Sequence, residues 1–256
     1  MKVAILAGGM GSRLAEETEI RPKPMIEIGG RPILWHIMRH FGHHGFNEFV
    51  IALGYKGDHI KRFFTDYLSA NSSLRVDLAT GGLDFLDGGH EEKWLVDLID
   101  TGRWTNTGGR IKRLAPYLGD GTFMLTWGDG VADVDLGRLL DFHRSHGRLA
   151  TVTAVHPPAR FGQLEMDCDE VSSFSEKPLD QSWINGAFFV LEPEVLDLID
   201  DDSVPFERGP MEHLAANKQL MAYKHEGFWQ CMDTLRDKKL LEDLWRDDTA
   251  PWKTWT

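Results

Sequence analysis

Leu6-Ala7-Gly8-Gly9-Met10-Gly11-Ser12-Arg13-Leu14 follows on the apolar run Val3-Ala4-Ile5-Leu6, and Arg21-Pro22-Lys23-Pro24 lies just beyond it. The apolar run reads as a buried first strand. A glycine-rich turn at the end of such a strand lets backbone N–H groups approach an anion, because no Cβ stands in the way. Arg13 adds a planar fork of donors and Lys23 a compact point charge, both suited to the same phosphate chain. The stretch points to nucleotide chemistry.

Two familiar phosphate loops do not fit it. A Walker A loop needs four residues between its glycines and then Gly-Lys-Ser/Thr, which is absent here. The dinucleotide fingerprint needs a third Gly or Ala, and that place holds Leu14. Beyond it, Pro22 and Pro24 disfavour helix at the residues before them, so the turn runs into an extended loop.

The chain has 256 residues, 42% of them hydrophobic, which suits one large α/β domain. We read 1–256 as a single domain, with 234–256 as a C-terminal helix and tail. No apolar run reaches membrane-spanning length and no leader pattern opens the chain, so a cytoplasmic setting is expected. Cys168 and Cys231 show no metal spacing. With no apolar run of membrane-spanning length no membrane partner is expected, and a net charge of −12 argues against a duplex nucleic-acid partner, yet not against a small phosphorylated substrate. A few convergent cations and a divalent metal outweigh a diffuse acidic surface at short range.

Strand and helix alternate through the first half. A helix is expected from about Arg31, with Pro32 in its first turn, an inward stripe of Ile33, Leu34, Ile37, Met38 and Phe41, and a stop at Gly45. Glu48–Leu53 reads as a second strand, Asp58 to Leu68 as a second helix and Leu74–Leu78 as a third strand. Residues 79–106 read as a loop-rich excursion over one edge of the active face, with a short strand-like Trp94–Leu98. A helix from Thr107 precedes a buried strand at Phe123–Thr126, and a helix over 135–146 follows. Strands are then expected at 149–155, 163–167, 171–174, 184–191 and 220–224, short helices at 193–200 and 207–217, and a last helix from about Asp233 to Trp245. Strands separated by helices of this length imply parallel pairing with right-handed crossovers. The fold class is α/β: a Rossmann-like three-layer α/β/α body with a mixed, mostly parallel sheet.

Asp129 stands between two glycines just past a central strand, at the edge where open α/β sheets bind ligands. It reads as a Mg2+ ligand or as a turn aspartate. Asp233 reads as a second ligand or, with Thr234 as the other candidate, as the cap of the last helix. Lys177, before Pro178, is held in extended backbone that can aim it into a cleft, although surface lysines are common. Asn185-Gly186 offers an amide and bare backbone for sugar hydroxyls, or only a turn. His36 and His40 have zinc-compatible spacing without the glutamate of a metalloprotease, and read as helix-face histidines. Trp104, Trp127, Trp229, Trp252 and Trp255 read as packing or subunit contacts rather than as a base-stacking ladder.

Taken together, Leu6–Leu14, Arg21–Pro24, Gly128-Asp129, Glu176-Lys177-Pro178 and Asn185-Gly186 resemble the sugar-nucleotide pyrophosphorylases. The likeness runs along essentially the whole chain. Pro32–Met38, Thr107–Arg110, Gly128–Asp133 and Phe228–Asp237 resemble the branch of that family that transfers cytidylyl groups to glucose 1-phosphate. Two positions depart from its pattern: Ser12 stands for Thr, and Cys231 stands for Pro in the turn before Asp233.

The resemblance implies CTP plus α-D-glucose 1-phosphate giving CDP-glucose and pyrophosphate, by in-line attack with Mg2+ and no covalent enzyme intermediate. It implies that Leu6, Ala7, Gly8, Gly9, Met10, Gly11, Ser12 and Arg13 hold the nucleotide, with Arg13 on the departing pyrophosphate and Lys23 on the reacting phosphates. Asp129 and Asp233 would hold the metal, and Lys177 the phosphate of glucose 1-phosphate. Thr105, Arg110 and the Gly128 backbone would complete the nucleotide pocket, while Glu176, Asn185 and Gly186 would meet sugar hydroxyls. Also implied are a mainly nucleotide-binding part, 1–130, a mainly sugar-phosphate-binding part, 131–233, a homo-oligomer, and a place in dideoxyhexose supply for cell-surface polysaccharide. Alternatives are a thymidylyl- or uridylyltransferase on the same sugar phosphate, or a non-catalytic regulatory subunit.

Overall fold

Val3 and Ile5 turn to one side of the first strand, Ala4 and Leu6 to the other, and each pair belongs to a different half of the core. Period-two alternation with both faces apolar is what a strand between two helix layers requires. This arrangement comes from a computed structural model that describes residues 1–11, 14–86, 92–157, 162–176 and 182–255, without the side chains of Ala15, Glu16 and Gln163.

Seven strands make the central sheet: β1 (Lys2–Leu6), β2 (Glu48–Leu53), β3 (Leu95–Asp100), β4 (Phe123–Trp127), β5 (Ala150–Val155), β6 (Ile184–Leu191) and β7 (Leu220–Lys224). Their order across the sheet is β7-β5-β6-β4-β1-β2-β3. Within it β6 runs against its neighbours β4 and β5, and the other pairings are parallel. The α/β class with a mixed, mostly parallel sheet is therefore as expected.

The helices are α1 (Ile33–His43), α2 (Gly57–Thr65), α3 (Thr107–Leu118), α4 (Leu136–His146), α5 (Pro210–Ala216) and α6 (Leu235–Arg246). Residues of α1, α2, α4 and α6 join Val3 and Ile5 in one half of the core. Residues of α3 and α5 join Ala4 and Leu6 in the other. Among the described residues no helix is long and apolar enough to cross a membrane.

Three expectations about these elements are corrected. Helix α1 begins at Ile33, because Arg31 and Pro32 are extended and pair with Glu27 and Ile28. The second helix stops at Thr65; a new turn, Tyr67–Asn71, brings the Tyr67 hydroxyl onto Trp35 Nε1 at 2.9 Å. Leu74–Asp77 is not a strand of the main sheet but pairs with Gly82–Phe85 in an exposed hairpin. The third strand is β3, paired with β2 from Glu48↔Leu95 to Leu53↔Asp100. Val96 and Leu98 pack on one half of the core and Ile99 on the other, whereas Arg75 and Asp77 allow Leu74–Asp77 only one apolar face.

The tail folds back into this core. Trp252 and Trp255 are buried there, and Trp252 lies near His36 with ring centroids 6.1 Å apart. His36 Nε2 meets the Ile28 carbonyl at 2.8 Å, and His40 Nε2 meets the Val134 carbonyl at 2.9 Å. Both histidines are structural, as expected.

Burial pushes the His36 imidazole down to about 4, and burial with the neighbouring His44 pushes His40 down to about 3. The unfolded chain, with histidines near 6.5, takes those protons first. Stability should therefore be undiminished above about pH 6.5 and fall as the pH drops toward the folded values, by about 1.4 kcal/mol per unit for each histidine. Chemical denaturation across this range checks it, and His40→Gln should flatten the slope; an unchanged slope would contradict the assignment.

Candidate active site

The site grows from the paired ends of β1 and β4. Leu6 lies opposite Trp127, and the Gly128 N–H donates to the Leu6 carbonyl at 3.0 Å. A Cβ at Gly128 would meet that carbonyl and the Pro24 ring at 3.0 Å each. The chain before Asp129 is thus held against both the glycine loop and the Lys23-Pro24 turn.

The loop itself is tied down through its carbonyls. Tyr55 N–H donates to Gly8 O at 3.1 Å, and Leu14 N–H and Thr18 Oγ1 donate to Gly11 O at 3.0 and 3.2 Å. Because the peptides are trans, fixing the Gly8 carbonyl aims the Gly9 N–H the opposite way, off β2. Gly11 sits at φ +62°, where a side chain is strained.

Lys23 is presented on a single 3-10 turn, Lys23–Met25, between two prolines. Its ammonium donates to Asp129 Oδ2 at 2.6 Å and to Asp233 Oδ1 at 2.5 Å. Burial alone would lower its pKa. The Asp129 charge, with hydrogen bonds to both carboxylates, more than offsets this and carries it above the ordinary lysine value.

Asp129 and Asp233 come together through a short antiparallel pairing of Gly130–Ala132 with Trp229–Cys231. The Met232 N–H donates to the Asp129 carbonyl at 2.8 Å and closes the pairing. Thr234, not Asp233, is the N-cap of α6, and Asp237 completes the capping box. Asp237 Oδ2 accepts from the Asp233 and Thr234 N–H groups, and the buried Gln230 amide donates to Oδ1 at 3.2 Å.

Two cavities meet at Asp129. The first, about 490 Å3, is lined by Leu6–Gly11, Lys23, Thr105, Arg110 and Gly128, all sequence-predicted. The second, about 190 Å3, is lined by Asn185, Gly186 and Asp233. Asp129 and Trp127 wall both.

Asn185 and Gly186 reach this edge because β6 runs backwards. The strand bulges there: register with β5 shifts between Val152 and Ala154, and Ala187 takes φ +60°. A Cβ at Gly186 would lie 2.8 Å from Val155 Cγ1.

Arg110 lines the first cavity and also braces the backbone under it. Its guanidinium donates to the Leu53, Gly102 and Arg103 carbonyls and to Thr101 Oγ1. These bonds tie the ends of β2 and β3 together beneath Gly8. Glu176 lies past the end of an exposed hairpin and lines neither cavity. Ser12, Arg13 and Lys177 lie outside the described residues.

With this geometry in view, residues 2–247 match the nucleotidyl transferase family. The chain belongs to that family. A glucose-1-phosphate cytidylyltransferase from Salmonella typhi is 51% identical over 257 residues, all of both chains. Solved structures superpose along nearly the whole chain and share its fold. HddC from Yersinia pseudotuberculosis has a TM-score of 0.69 at 24% identity, covering 95% of this chain and 99% of its own. UDP-glucose pyrophosphorylase with UDP-glucose also scores 0.69, at 14% identity, covering 96% and 98%.

Sequence reasoning about this nucleotidyl transferase missed part of the wall. Trp127 packs on Phe189 with ring centroids 5.0 Å apart, yet its other surface faces both cavities. Trp104, expected as a packing or subunit contact, is 75% exposed and lines the first cavity beside Arg103. An aromatic or arginine next to Thr105 in a glycine-flanked loop was the available signal.

The loop glycines should differ sharply in tolerance. A Cβ at Gly8 would fall 2.3 Å from Arg110 Nη1, whose position is locked by its acceptors, whereas one at Gly9 meets nothing within 4 Å. Gly8→Ala should destabilise by about 1–3 kcal/mol, and Gly9→Ala by less than about 0.5 kcal/mol. Urea unfolding compares them; equal effects would show that Arg110 yields.

Proposed function

We propose that the chain joins CTP to α-D-glucose 1-phosphate, giving CDP-glucose and pyrophosphate. The observation that carries this reading is the meeting of two cavities at the Lys23–Asp129–Asp233 cluster. The full-length likeness to a cytidylyltransferase supports the choice of substrates. On this reading the first cavity takes CTP and the second takes the sugar phosphate. The linings support the expected division of the chain: the described lining of the first cavity falls before residue 130, and the second adds Asn185, Gly186 and Asp233 to Thr126, Trp127 and Asp129.

A phosphate oxygen of glucose 1-phosphate forms a bond to the α-phosphorus of CTP. The bond from that phosphorus to the β-phosphate bridging oxygen breaks, and pyrophosphate leaves with the electron pair. No protein nucleophile is required, so the chain contributes position and charge. The Gly8–Gly11 loop orients the triphosphate by its N–H groups. Lys23 stands at the junction of the cavities, where it can meet charge developing on the reacting phosphates. Arg13, on the same loop, is assigned to the departing pyrophosphate, and Lys177 to the sugar phosphate. Asn185 and Gly186 face the hexose. Arg110 acts beneath the loop by holding Gly8 and the 101–103 turn in place.

The residues fit a hard divalent ion. Two carboxylates on separate elements converge, and Mg2+ takes one or two carboxylates plus substrate oxygens and water. Among the described residues no third acidic, histidine or cysteine ligand completes a metal group. The nearby Cys231 thiol is pushed up to about 12 by burial, then by Asp233 and Asp129, and so stays protonated. Held by Asp129 and Asp233, Mg2+ would neutralise phosphate oxygens as charge shifts among them.

Pyrophosphate release from CTP, UTP, dTTP, ATP and GTP with glucose 1-phosphate tests the reading, and CTP should be preferred. Preference for UTP or dTTP would transfer the chain to another pyrimidine branch. Lys23→Ala should cut turnover by about 10²-fold or more, and unchanged turnover would remove Lys23 from the reaction. Asp129→Asn should abolish metal-dependent turnover, whereas a normal metal response would return Asp129 to a turn role.

A further inference from the structure

Lys23 takes one oxygen from each of two carboxylates: Asp129 Oδ2 at 2.6 Å and Asp233 Oδ1 at 2.5 Å. Mg2+ bonds oxygen at about 2.0–2.1 Å. An ion held by these same two oxygens would need the small volume that the ammonium fills, and two cations cannot share it. With Lys23 in place the cluster carries a net charge of −1 (one ammonium against two carboxylates). With a divalent ion in its place the pair is neutral, and the lysine charge is free for phosphate.

We infer that Lys23 is an internal cation that keeps the carboxylate pair closed to free divalent metal, and that nucleotide phosphates draw it away and open the pair. This rests on the reading of Asp129 and Asp233 as the metal-holding pair. The coupling has a structural route. A Cβ at Gly11 would lie 3.2 Å from Lys23 Cβ, so the glycine loop rests on the lysine stem. The Lys23 backbone is pinned by Pro22, Pro24 and the bonds Met25 N–H to Pro22 O and Ile26 N–H to Lys23 O. The flexible four-carbon side chain is then the part that moves when phosphates seat on the loop. Metal would enter with the nucleotide rather than before it.

Electron paramagnetic resonance titration of Mn2+ into nucleotide-free protein tests this without turnover. Lys23→Met should bind Mn2+ about tenfold or more tightly than wild type. Lys23→Arg, which keeps a cation, should stay as weak as wild type, and adding Asp129→Asn to Lys23→Met should abolish the gain. Lys23→Gln serves if Lys23→Met does not fold, and millimolar Mn2+ should raise the melting temperature of either neutral variant more than that of wild type. Equal Mn2+ affinity in wild type and the neutral variants, weakened in both by Asp129→Asn, would overturn the inference while leaving the metal pair intact. Mn2+ binding to CTP-loaded wild type that Asp129→Asn leaves unchanged would overturn the metal pair itself, and the inference with it.

Discussion

A pairing of only three residues on each side, Gly130–Ala132 against Trp229–Cys231, joins parts of the chain about a hundred residues apart. On its own such a ribbon is marginal. Here Val131 and Ala132 are buried against α1, and Gln230 is buried beneath the cap of α6. That packing brings Asp129 and Asp233 within reach of one ammonium. Two carboxylates this close repel each other, and removing one partner from such a cluster leaves an uncompensated, partly buried charge. Lys23 is therefore part of what lets the chain fold with the pair assembled. On the proposed reading, the same repulsion would ready the pair for a divalent ion once the lysine finds another anion.

The fold was largely legible because its strongest signals are periodic. Val3–Leu6, Glu48–Leu53 and Phe123–Thr126 are runs with apolar groups on both faces, and each became a central strand. The stripe from Ile33 to Phe41 became α1. Legibility failed at β3. Leu74–Asp77 and Leu95–Asp100 are both plausible strands by local preference, and the choice depends on which can bury apolar groups on both sides once paired with β2. That is a tertiary requirement, and strand preference is set by such surroundings more than by the backbone.

At the site, residues whose chemistry requires a particular type were legible, and residues that work through shape were not. Lys23, Asp129, Asp233 and the loop glycines announce themselves as charge and as missing Cβ atoms. Trp127 and Trp104 do not, since a tryptophan in a core and a tryptophan on a cavity wall have the same local sequence. Arg110 was reached only through the family resemblance, and its place depends on four acceptors supplied by β2, by the turn after β3 and by Arg103. Spacing alone cannot tell an arginine that meets a ligand from one that braces the backbone beneath it. Asp233 shows the reverse: of the two cap candidates Asp233 and Thr234, it is Thr234 that caps α6, with Asp237 completing the box.

The reversed direction of β6 ties these pieces into one site. Ligands in open α/β sheets collect beyond the carboxyl ends of the parallel strands, where the loops diverge. An all-parallel sheet would bring carboxyl-end loops from β4 and β6 side by side to that edge. With β6 antiparallel, it is the start of the strand, Asn185-Gly186, that stands next to Trp127 and Asp129. A strand start so near the edge needs relief from the ladder, and the bulge at 186–187 supplies it by turning Ala187 into the left-handed region. The Gly186 carbonyl freed there accepts from Trp229 Nε1 at 2.8 Å, on the strand that leads to Asp233. One reversed strand thus builds the second cavity's wall and braces the segment that delivers the second carboxylate, so the two cavities open onto the same charged centre.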